Sequence, residues 1–122
     1  MTPDPTMTRT WPEVRSYYAR MTHDSGKAMY SFVTALESSS YAVGLFPWTS
    51  MLDLCIAQTP VEYPYNGPYL RISPKPGSVV ELRYLDSWVK AKQWNRTVPA
   101  AETFHAFERF IDHLHWFAKP LR

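Results

Sequence analysis

Several groups of side chains in this sequence have residue types and spacing that chemistry could use. His105, Glu108, Asp112 and His115 follow one another at steps of three, four and three, which on a helix gathers them into one stripe. These are acid, base and metal-ligand types. A divalent ion is usually enclosed by ligands from two or more elements, whereas neighbours on one helix splay outward. The stripe therefore reads first as a solvated helix face, and no metal ligand is assigned. His113 stands two residues from His115, so on a helix the two point to opposite sides.

Trp88, Lys90, Lys92, Trp94 and Arg96 alternate with other residues, so an extended chain would set two indoles and three cations on one face. That interleaving suits stacking on bases with contacts to phosphates, or docking on an acidic protein. The plainer reading is an edge strand whose lysines deter edge-to-edge pairing. Tyr63 and Tyr65 lie in the proline-rich loop from Val61 to Tyr69, and Phe46, Pro47 and Trp48 add to the same aromatic character. Prolines reduce the entropy lost on ordering and tyrosines supply amphipathic contact area, so such a loop serves recognition or folds back as a lid on the core.

Cys55 beside Asp53 is the minimum for a thiol nucleophile, given a histidine, but mid-strand cysteines are mostly inert packing residues. The chain has 4 glycines and no phosphate-cradling or nucleophile-elbow motif. No catalytic residue and no cofactor is assigned.

The elements that must position these residues follow from periodicity. Thr10-Trp11-Pro12-Glu13 carries an N-cap, a proline in the first turn and the glutamate of a capping box, which predicts a helix over 11–21. Met29, Phe32, Val33 and Leu36 recur at helical spacing and predict a second helix over 27–38, with Asp24 or Ser25 as its cap. Residues 41–48 read as an apolar connection broken by Gly44 and Pro47. From Thr49 the period changes to two: Leu52, Leu54 and Ile56, then Leu70 and Ile72, then Val80, Leu82 and Tyr84 form the buried faces of three strands. Their connections are too short for crossover helices, which implies an antiparallel meander. Residues 88–97 could add a fourth strand. Phe104, Phe107, Phe110, Ile111, Leu114 and Phe117 define the apolar side of a final helix ending near Ala118.

The predicted fold is α+β: a two-layer sandwich of a three- to four-stranded antiparallel meander, N-terminal helices and a long C-terminal amphipathic helix on one face, in the order ααβββ(β)α. Residues 1–9 read as a mobile tail and 10–122 as a single domain. A chain of 122 residues with 16% aromatics can bury roughly two thirds of its unfolded surface without disulfides. The single cysteine and the lack of a signal-like N-terminus point to the cytoplasm. The apolar runs are too short to span a membrane. A net charge of +2 argues on composition against a dedicated nucleic-acid partner.

The function these features favour is a small, soluble, non-enzymatic binding or protein-interaction domain, with a protein partner or a second copy of the chain. Its candidate contacts are Trp88, Lys90, Lys92, Trp94, Arg96, Tyr63, Tyr65, and Arg71 and Arg83 with Asp53 and Glu81 on the outer sheet face. The alternatives are a small enzyme or ligand-binding protein using the His105, Glu108, Asp112 and His115 face, and a weak nucleic-acid binder using the strip from Trp88 to Arg96.

Overall fold

The computed structural model describes residues 8–21, 24–60, 68–85, 94–114 and 116. Helix α1 spans Trp11–Ala19 and opens on both bonds of the expected capping box: the Glu13 amide donates to Thr10 Oγ1 at 3.2 Å, and the Thr10 amide donates to Glu13 Oε1 at 2.9 Å. Two otherwise orphaned donors are thereby satisfied. Helix α2 spans Asp24–Glu37 and buries Met29, Phe32, Val33 and Leu36, the predicted stripe. It starts earlier than the sequence suggests, with Asp24 as its first residue rather than its cap. Gly26 permits this start, because a Cβ there would lie 2.3 Å from the Cβ of Met21.

Five strands follow, β1 (Phe46–Ser50), β2 (Asp53–Ala57), β3 (Tyr69–Lys75), β4 (Val79–Leu85) and β5 (Trp94–Pro99), in one antiparallel sheet whose spatial order is the chain order. The strand count corrects the expected three or four. The extra strand, β1, lies largely in the stretch read as a connection. Pro47 is tolerated there because β1 is an edge strand: proline has no amide to leave unpaired, and its carbonyl accepts the Arg9 amide at 2.8 Å. The expected strand from Thr49 is also corrected, since Met51 and Leu52 form a turn and Leu52 is exposed.

Helix α3 spans Thr103–Leu114. Phe107, Phe110 and Ile111 are buried on it as predicted, while Phe104 and Leu114 are partly buried and Phe117 lies outside the described residues. All three helices contribute to one core with Leu54, Ile56, Leu70, Ile72, Val80, Leu82 and Tyr84, which form one face of the sheet. The fold is thus α+β in the order ααβββββα. No helix among the described residues is long and apolar enough to cross a membrane.

This packing sets a stability test. Phe107 is fully buried, with its ring centroid 5.6 Å from that of Phe32 and 5.4 Å from that of Tyr41. Phe107→Ala is expected to cost about 3–5 kcal/mol in urea denaturation through the cavity it leaves. At exposed His105, substitution by Ala is expected to change stability by at most about 0.5 kcal/mol; equal losses at both sites would contradict the helix phase.

Candidate interaction surface

The β1–β2 connection is a two-residue turn, because Ser50 pairs with Asp53 and only Met51 and Leu52 lie between them. Tight hairpin turns of this length require positive φ at the first central position, normally filled by Gly, Asn or Asp. Here Met51 occupies it with φ of 56°, a left-handed conformation that costs a side-chain-bearing residue about 1–2 kcal/mol. The turn is also apolar and outward: Met51 is 86% exposed and Leu52 40%. It is held from behind by α1, where the Tyr17 hydroxyl donates to the Met51 carbonyl and the Tyr18 hydroxyl donates to the Leu52 carbonyl at 2.9 Å. Tyr18 is fully buried. Burial, and to a smaller extent the neighbouring Tyr17, Cys55 and Asp53, raise its pKa far above the ordinary phenol value, so it remains a donor.

The turn leads directly into a charged ladder on the sheet face opposite the helices. Asp53 opens β2, and Arg71 and Arg83 sit directly opposite each other on β3 and β4. Two guanidiniums in register repel, and Asp53 offsets that repulsion: its Oδ2 accepts from Arg71 Nε at 2.6 Å and lies 3.8 Å from an Arg83 terminal nitrogen. Arg83 also donates to Ser73 Oγ at 3.4 Å, and Glu81 lies 3.6 Å from Arg83 Nε and 3.7 Å from Lys75. Three cations meet two carboxylates, which leaves the ladder with one surplus positive charge. Beside it, Trp48 and Tyr69 pack at 5.3 Å between ring centroids, in a small cluster with Cys55 and Ala57.

Arg71 and Arg83 thus occupy the outer face as the sequence indicated, joined in one network. Arg96 does not belong there. Its register partner is Leu82, which places it on the helix side of β5, where it is exposed. Trp94 opens β5 opposite Tyr84. Trp88, Lys90, Lys92, Tyr63, Tyr65 and His115 lie outside the described residues. On α3, Glu108 accepts a hydrogen bond from the Tyr41 hydroxyl at 3.0 Å, while His105 and Asp112 are exposed. The described residues contain no group of three or more potential metal ligands. The Met51–Leu52 turn was missed in sequence because it contains no glycine, asparagine or proline, and because Leu52 continues the alternation of Leu54 and Ile56.

Cys55 is buried, and burial pushes its thiol up to about 12, with Arg71 pulling down and Asp53 pushing up by smaller amounts. As a nucleophile it is disabled. A raised value means the neutral thiol favours the folded state: its contribution is complete below the ordinary value of 9.0 and is lost as pH rises toward 12. Stability is therefore expected to fall across that alkaline window, and Cys55→Ala should remove the cysteine's share of the fall. At about pH 8 the folded chain therefore holds far less thiolate than the unfolded chain. A disulfide reagent should accordingly modify it at least about a hundredfold more slowly than in denaturant, and equal rates would contradict the burial. No protein-family model, curated protein or solved structure matches this chain.

Proposed function

We propose that this chain is a protein-interaction domain whose contact surface is the Met51–Leu52 turn, with the Arg71 and Arg83 ladder as its polar border. The observation that carries this reading is Met51 itself. A large apolar side chain that is both strained in its backbone and turned to solvent contributes little to its own fold, and such local violations cluster where function has its own requirement. Burying a methionine or leucine in a partner's pocket is worth about 1.5–3 kcal/mol. A buried anchor surrounded by weaker contacts that exclude water is a common anatomy of an interface.

The ladder adds a preference. Its surplus positive charge favours a partner with carboxylates around an apolar pocket, and charge at a rim guides encounter more than it adds affinity. Disabled Cys55 chemistry and the engagement of Glu108 by Tyr41 both weigh against an enzyme built on those residues. The nucleic-acid alternative rests on the strip from Trp88 to Arg96, of which only Trp94 and Arg96 are described.

Met51→Gly tests the proposal. Glycine accepts the positive φ, so folding stability is expected to stay level or rise by about 1 kcal/mol. A photoreactive residue at position 51, in the cells that make the protein, should give a discrete adduct with another protein or with a second copy. The same residue at exposed position 102 should give none. Loss of stability in Met51→Gly, or adducts only with nucleic acid, would contradict the proposal.

A further inference from the structure

A second corner of the molecule gathers cations from two different elements. Arg96 is exposed although its register places it on the side of the sheet where the core lies. There it lines an open groove with Arg109, Asp112 and His113 of α3. Arg109 and His113 are one turn apart and share a stripe of the helix. Among the described residues, neither Arg96 nor Arg109 forms an ion pair. Asp112 is the one carboxylate among the described residues that line the groove, and its field also acts on the Tyr41 hydroxyl. Among the described residues, two guanidiniums against one carboxylate leave a surplus positive charge there.

We infer that the groove between β5 and α3 binds a terminal phosphate, free or as a monoester. The preference for phosphate over a carboxylate follows from the number of oxygens each presents. A carboxylate presents two oxygens, enough for one guanidinium fork, whereas a phosphate monoester presents three terminal oxygens and can be shared between two. Arginines carried by a strand and by a helix can reach such a group from two directions, and His113 lines the same groove. The site is separate from the Met51–Leu52 turn and the outer-face ladder, since Arg96 lies on the opposite face of the sheet from Arg71 and Arg83.

The test is a titration of the ¹⁵N-labelled chain with inorganic phosphate, and in a second arm with phosphoserine. Sodium chloride at matched ionic strength is the control. Saturable shifts are expected in β5 and α3, with a dissociation constant of about 1–10 mM for a small, solvent-facing anion. Arg96→Gln and Arg109→Gln should each weaken binding about tenfold. Arg96→Lys should lose several-fold although its charge is kept, because the fork is gone. Lys27→Gln, on α2, should leave binding unchanged. Tighter binding of phosphoserine would identify a phosphorylated side chain as the source, and equal binding a free phosphate. Shifts reproduced by chloride, no saturation below about 50 mM, or full binding in both Arg→Gln variants would overturn the inference.

Discussion

Two tyrosine hydroxyls on α1 hold the turn on which the interaction reading depends. Tyr17 and Tyr18 are adjacent in sequence, pack edge to face at 5.1 Å, and donate to the adjacent carbonyls of Met51 and Leu52, 34 residues further along the chain. Each carbonyl would otherwise face water in a strained turn. The donors fix the turn at its backbone and leave its side chains unconstrained, so that Met51 and Leu52 can be exposed without the loop collapsing onto the protein. Because Tyr18 is also a core residue beside Val14 and Trp11, the turn inherits the rigidity of the packed interior. Trp11 repeats the device at the other end of α1, where its indole N–H donates toward the carbonyls of Ala42 and Leu45 at 3.2 and 3.3 Å. Helix α1 is thereby fastened to both ends of β1.

The outer face is organised by a different constraint. Arg71 and Arg83 oppose each other in register, and a sheet that placed them there without an intervening carboxylate would be destabilised. Asp53 supplies that carboxylate from the first residue of β2, directly after the turn, so the polar network and the apolar tip share one short segment of chain. Burial opposes the charge of Arg71, but its hydrogen bond to Asp53 and smaller contributions from Cys55 and Tyr69 outweigh burial and raise its pKa above the ordinary value. Pairs as exposed as these contribute modestly to stability.

Much of the fold was legible because its signals are local and periodic. The capping box of Thr10 and Glu13, the stripe of Met29, Phe32, Val33 and Leu36, and the apolar side of α3 all follow from spacing along one element. What was not legible depended on partners distant in sequence. Strand β1 carries Pro47, a residue that argues against a central strand, and only its edge position admits it. The tip escaped notice because its positive φ falls on a methionine, with the compensating donors on a helix elsewhere. Arg71 and Arg83 were visible as an alternating outward pair, but the single aspartate between them required register. Arg96 was read with Trp94 by alternation, and their register partners Leu82 and Tyr84 share one face of the sheet; which face that is required the pairing of β5 with β4.

The central claim is that Met51 is held rigid and exposed in a left-handed turn by α1. Backbone ¹⁵N relaxation of the wild-type chain and of Tyr18→Phe measures this most directly. The account predicts an order parameter near 0.85 at Met51 in the wild type, equal to that of the flanking strands, and a clear drop at Met51 and Leu52 alone when the Tyr18 hydroxyl is removed. A value below about 0.6 at Met51 in the wild type, or no change in the variant, would contradict it.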